Sequence, residues 1–200
     1  MKPSITVTTL ITFFLLSSCV KSLHPLTENP KDMVFKKGLL GKWKDAKDNT
    51  EYIIDTVPNS SGKTYEMTVI DHSDDKSFDT SNFLMMLVNL KGNYYIDCAP
   101  DIADQKYTKI SDINKSLLLV SHFFARVYSI DKNLIITSVM DNDALSLLLK
   151  TGKIKMVHQK IKGDEILLLD QPKVLQQKLI ELEKFPSVYK KKDSLIRINN

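Results

Sequence analysis

Disulfide bonding, glycine loops and paired histidines are nearly absent from this chain. It has two cysteines in 200 residues, which allows at most one internal bridge and excludes a small disulfide-built scaffold. Its six glycines form no phosphate-cradling loop and no G-x-S-x-G nucleophile elbow. His24, His72, His122 and His158 lie far apart, with no H-x₃-H or H-E-x-x-H pair. No metal site stands out, and no cofactor is expected. Charge of one sign is also scarce: 28 Lys and Arg stand against 24 Asp and Glu, a net charge of +4. That excess is too small and too dispersed to suggest nucleic acid as a partner. The one dense run, Lys190-Lys191-Lys192, reads as a solvated edge, with contact to anionic lipid headgroups as the alternative.

What the sequence does have stands at its start. Lys2 precedes an apolar stretch at 5–16, and the small residues Ser17 and Ser18 follow. This is the layout of a secretory signal. The stretch is about a dozen residues, whereas a spanning helix needs about 20. Leu16-Ser17-Ser18-Cys19 resembles the lipobox of bacterial lipoproteins. The resemblance implies cleavage before Cys19 and a thioether-linked diacylglycerol plus an N-acyl group on that residue. The bilayer is then a partner through acylated Cys19, since two or more chains give stable anchoring where one gives only marginal binding. Valine follows Cys19, not the Asp that retains lipoproteins on the inner membrane in some bacteria, so the resemblance leans to the outer membrane. More broadly, the stretch from Ser18 through Trp43 resembles a set of uncharacterised bacterial lipoproteins, which implies an envelope location and no particular activity.

The organisation then reads as a signal at 1–18, a tether at 19–37 and one α+β domain at 38–200. Pro25, Pro30 and a lack of periodicity suggest the tether. Strands are expected at 52–57, at 64–71 (Tyr65, Met67 and Val69 on one face), at 83–90, at 94–98, at 117–130 and at 134–140, separated by clusters of turn-forming residues. Two helices follow. Asp141 caps the first, which carries Leu145, Leu148 and Leu149 and stops at Gly152; Pro172 opens the second, whose stripe is Leu175, Leu179 and Leu182. Shorter strands are expected within 154–160 and 165–169. Strands first and helices late argue for an antiparallel sheet or partial β-barrel with two late helices packed on one side or end.

Gly41-Lys42-Trp43 holds the only Trp. Gly-x-Trp at the start of a first strand resembles the opening of the lipocalin family. That resemblance implies an eight-stranded barrel, closed at its bottom by the Trp and holding a small apolar ligand; a core Trp anchoring a sheet is the plainer reading. His122, Arg126 and Tyr128 fall at even spacing, so a strand sets them on one face with Phe124. They could line a pocket for an anionic group or form a solvated sheet surface, while Phe123, Ala125 and Val127 point to the core. Asp71-His72-Ser73-Asp74-Asp75 has the residue types of a triad or a cation loop but the spacing of neither, and reads as a polar turn. Asp141-Asn142-Asp143 is explained by capping, Asp101 and Asp104 by a loop, and Cys98 by a buried, inert thiol.

No catalytic residue is therefore assigned. The expected function is a non-catalytic binding or accessory role in the cell envelope, with an apolar small molecule or lipid as ligand. The alternatives are an assembly part that docks an envelope protein and, behind it, a hydrolase.

Overall fold

The computed structural model describes residues 20–48, 50–57, 62–74, 77–102, 120–161 and 164–198. Eight antiparallel strands close into a barrel. Seven of them form a meander: β2 (Gly41–Asp45), β3 (Glu51–Thr56), β4 (Thr64–Asp74), β5 (Ser77–Leu90), β6 (Asn93–Pro100), β7 (His122–Ile130) and β8 (Leu134–Val139). β6 pairs with β7, and the last strand, β11 (Asp193–Arg197), fits between β8 and β2 and completes the ring. A short strand at the start of the described chain, β1 (Lys21–Ser22), pairs with the first residues of β7, which extend past the end of β8. It continues into a flap of β10 (Ile166–Leu168), parallel to β1, and β9 (His158–Lys160). Two helices, α1 (Asn142–Lys150) and α2 (Pro172–Leu182), lie between β8 and β11 in sequence.

The period-2 alternation of the strands makes two cores from one wall. Inward residues Trp43, Ile54, Tyr65, Met67, Met85, Leu87, Ile96, Cys98, Val127 and Ile135 form the first core. Outward residues Val88, Leu90, Tyr95 and Phe124 join Leu145, Leu148, Leu175, Leu179 and Leu182 of the helices in the second. This explains why 83–90 reads as a continuous apolar run: that part of β5 is covered on both faces. The helices follow their sequence signals. Asp141 accepts the Ala144 N–H as the N-cap of α1, and Pro172 sits in the first turn of α2. Lys91 and Gly92, both at positive φ, make the two-residue turn from β5 to β6, the geometry that matches the twist of the flanking strands.

Three expectations need correction. The segment expected as a tether is packed against the barrel: Val20 and Leu26 are buried, the Leu23 N–H donates to the Leu168 carbonyl, and the Leu26 N–H donates to the Asp97 carboxylate. An irregular strap has no periodicity to read, although its apolar residues are still drawn into the core. Asp71 to Asp74 is not a turn but the upper end of β4; β4 and β5 are longer than their apolar stretches because a hairpin can extend past the core while its backbone stays paired. Within 154–160, only His158–Lys160 is strand, while Ile154 and Met156 are buried in the helical layer. Residues 117–119 and Asp104 lie outside the described residues.

One end of the barrel is plugged by Leu39 and Trp43, both fully buried. The Trp43 indole N–H donates to the Leu39 carbonyl at 2.9 Å. The Arg197 guanidinium lies over the Trp43 ring at 4.0 Å and donates to the carbonyls of Leu40 and Gly38 at 2.8 and 2.9 Å and of Lys132. Gly41 makes this approach possible, because its φ is +124° and a Cβ there would stand 2.4 Å from Arg197 Nη1. Replacing Gly41 with Ala is expected to cost about 1–3 kcal/mol through backbone strain, with the clash added. The drop should appear in the urea midpoint; an unchanged midpoint would mean that Arg197 does not latch the barrel.

Candidate functional site

The outward face of β6 and β7, under α2 and the strap, holds the densest polar network among the described residues. Sequence alternation puts His122, Phe124, Arg126 and Tyr128 there, with Tyr95 and Asp97 beside them on β6. His122 Nδ1 is 2.7 Å from an Asp97 carboxylate oxygen, and the Asp97 side chain has no exposed surface. Its other oxygen accepts the Leu26 N–H at 2.7 Å. Ser22 stands opposite His122 in the register of β1 and β7, but it is fully buried and its hydroxyl donates to the His24 carbonyl at 2.8 Å. An imidazole oriented by a carboxylate is half of a hydrolytic site. Here the neighbouring hydroxyl is spent in a turn and closed off from solvent.

Four residues further along β7, Arg126 Nε donates to Glu183 at 2.7 Å. Its remaining bonds go to the Asn93 side chain at 2.7 Å and the Tyr94 and Val127 carbonyls. The same Glu183 oxygen accepts the Tyr95 hydroxyl. The guanidinium also lies over the rings of Tyr95 and Tyr128, at 5.4 and 5.2 Å. Burial pushes the Tyr95 hydroxyl far above the usual phenol range, and Tyr189 and Glu183 push it further. Tyr128 is half-exposed and carries the Lys192 ammonium over its ring at 4.3 Å. Arg126 is thus held by the protein's own acceptors.

Trp43 belongs to a different place, the barrel plug, so the structure does not bring it together with His122, Arg126 and Tyr128. Cys19 lies outside the described residues. Cys98 points into the barrel core, fully buried, and desolvation drives its thiol well above the ordinary range, so it has no thiolate character to offer. Among the described residues no group of His, Cys, Asp and Glu is arranged to hold a metal ion, and no helix is long and apolar enough to cross a membrane. His72 Nε2 lies 3.6 Å from Glu51 across the strands. The barrel interior is filled by its own side chains, with Trp43, Tyr65, Met85, Leu87 and Ile135 all fully buried. Two open grooves mark the described surface. One is lined by Leu40, Lys42, Ile53 and Arg197, and the other by Leu149, Gly152, Val157 and Val174.

Two residues with defined partners, Glu183 and Asp45, carry no sequence signal as sites. Glu183 follows the apolar stripe of α2 as an ordinary helix-end polar residue. Asp45 alternates with Trp43 and so faces inward at the other end of β2, where its carboxylate accepts the Lys47 N–H at 2.7 Å. No family model, no curated protein and no solved structure matches the chain.

Two predictions follow the side-chain networks. Glu183→Gln leaves the Arg126 charge under α2 without its counter-ion and is expected to cost about 1–3 kcal/mol. The pair Arg126→Met with Glu183→Leu should recover most of that loss, because an apolar replacement leaves no buried charge unpaired. Equal losses in the single and double variants by urea denaturation would show that the ion pair is not what holds α2. For Asp45, burial raises the carboxyl above its ordinary 3.8, and Asp48 and Asp193 add to the rise. The folded state therefore binds this proton more tightly than the unfolded chain. The ionised form costs stability at neutral pH, and the cost disappears below the unfolded value. Asp45→Asn keeps an acceptor for Lys47 and should raise the denaturation midpoint at about pH 7 but not at about pH 3; a gain of equal size at both would contradict this.

Proposed function

We propose that this chain is a lipid-anchored protein of the bacterial cell envelope, held in the outer membrane through acylated Cys19, with a non-catalytic accessory role. The single observation that carries the reading is Leu16-Ser17-Ser18-Cys19 at the end of a short apolar run. A closed barrel is compatible with binding an apolar small molecule or lipid. The filled interior favours the other accessory role, docking an envelope protein from the outer surface. The His122–Asp97 pair, whose carboxylate is fully buried and whose neighbouring Ser22 hydroxyl is buried and already bonded, gives a hydrolase the least support.

Growth with an inhibitor of the lipoprotein signal peptidase should leave a larger, unprocessed precursor. The mature chain should begin at Cys19 with the added mass of a diacylglycerol and a fatty acyl group, and Cys19→Ala should abolish both processing and detergent-phase partitioning. Normal processing under the inhibitor, or a mature N-terminus elsewhere, would overturn the proposal.

A further inference from the structure

We infer that the flap of β1, β10 and β9, with the basic segment that leads into it, is a docking face for an anionic phospholipid surface. The inference rests on the acyl anchor at Cys19 and says which side of the barrel that anchor brings to the bilayer. Val20 is buried and Lys21 is already paired on both sides, to Phe123 and to Leu167. An acylated Cys19 would stand one residue away, with its Cα about 3.8 Å from that of Val20. No spacer separates the lipid from the fold, so the bilayer must meet whatever surrounds β1.

What surrounds it is basic and partly apolar. The register runs from Lys21 to Leu167 to Gln159. Strands lie about 4.8 Å apart, so β9 is about 10 Å from the anchored strand. At neutral pH a charge on a lipid surface is felt over a Debye length, about 8–10 Å in 0.1–0.15 M salt. The eleven-residue run from Lys150 to Lys160 has four lysines, one histidine and no acid. Lys150, Lys153, Lys155 and Lys160 are all exposed, as is Lys173 at the start of α2. Lys160 and Lys21 are matched by Asp164 and Glu165, at 2.8 and 2.6 Å, and Asp164 also lies in the field of Lys150; Lys153, Lys155 and Lys173 add further positive charge. Among them stand the most exposed large apolar side chains of the described residues, Leu147 at 62% and Val157 at 59%. An open groove lined by Leu149, Lys155, Val157, His158, Asp170 and Val174 adjoins Val157; the buried Asp170 carboxylate accepts the Val157 N–H. Lysines around protruding aliphatic groups match a headgroup layer, where ammonium groups meet phosphates and short apolar side chains reach the acyl boundary. β9 is also the last strand of the sheet among the described residues, so its outer edge has no strand partner among them.

The test uses the full acylated protein in vesicles. Val157→Cys takes an environment-sensitive dye, since Cys98 is buried and the Cys19 sulfur is blocked by its lipid. Asp55→Cys on β3, four strands from β7 around the ring in either direction, takes the dye as the control. In vesicles of phosphatidylglycerol and phosphatidylethanolamine, the dye at 157 should shift to the blue and the dye at 55 should not. The shift should vanish in 1 M salt, where the screening length falls to about 3 Å. It should also be lost when Lys150, Lys153 and Lys155 are changed to Gln, which weakens local docking about a hundredfold at about 1 kcal/mol per lysine. A protein shown by mass to be acylated, yet with no shift at 157, with equal shifts at 157 and 55, or with a shift only when other envelope proteins are added, would overturn the inference. A protein with no acyl group on Cys19 would instead overturn the anchoring on which it rests.

Discussion

Closure of the sheet is the constraint on which the rest depends. Seven strands of the meander leave two open edges, on β2 and β8, and an open edge of that length invites pairing with another chain. β11 removes both at once by pairing with each. It reaches that slot only after two helices and the flap have been laid down, so the helices must return the chain to the side from which it left. The latch is Arg197 at the end of β11. Its guanidinium spans the Trp43 ring and the carbonyls around the 3-10 turn at Lys37–Leu39. A buried indole and a planar cation satisfy one another and several orphan carbonyls, which a purely apolar plug could not do.

A closed barrel has one inside and one outside, and here both are used. The alternation that sends Ile96 and Cys98 inward on β6 sends Tyr95 and Asp97 outward, under the helical layer. Outward polar groups in that layer must find protein partners, because water is excluded. The outcome is two short chains of contacts: Asp97 with His122 and the strap, and Glu183 with Arg126 and Tyr95. Each ties a segment distant in sequence to the barrel wall, the first the N-terminal strap and the second the end of α2. Their chemistry resembles that of active sites because both roles need oriented charges in a dry setting. The exposed half that a substrate would need is missing.

Much of this was legible in the sequence where periodicity spoke. Both helices, the Asp141 cap of the first and both apolar stripes stood at the expected residues, and so did the antiparallel order and the shared face of His122, Arg126 and Tyr128. Three parts were not. β11 is a five-residue strand, Asp-Ser-Leu-Ile-Arg, with one charged residue at each end, too short and too polar to show alternation. The strap has no repeat at all, since its burial depends on single residues such as Leu26 meeting Asp97. The cover over the polar face of β7 depends on where α2 lands, and that is a tertiary fact: a strand shows which residues share a side, not what lies on that side.

The strap also changes what an anchor at Cys19 would mean mechanically. A flexible spacer lets a domain sample many orientations above a bilayer, and any surface residue can then meet a partner. A strand that starts two residues after Cys19 would restrict the orientation of a domain anchored there, because the Lys21 ammonium, its neighbours on β7 and β10, and the Asp97 carboxylate all hold the first turns of the chain to one wall. Loss of the Asp97 contact would cost more than one hydrogen bond. It would free the Leu26 end of the strap, while the pairing of β1 with β7 and β10 remained, and leave a buried carboxylate facing His122 alone. The strap and the barrel wall are thus coupled through the same buried group, and a substitution that loosens one should destabilise the other.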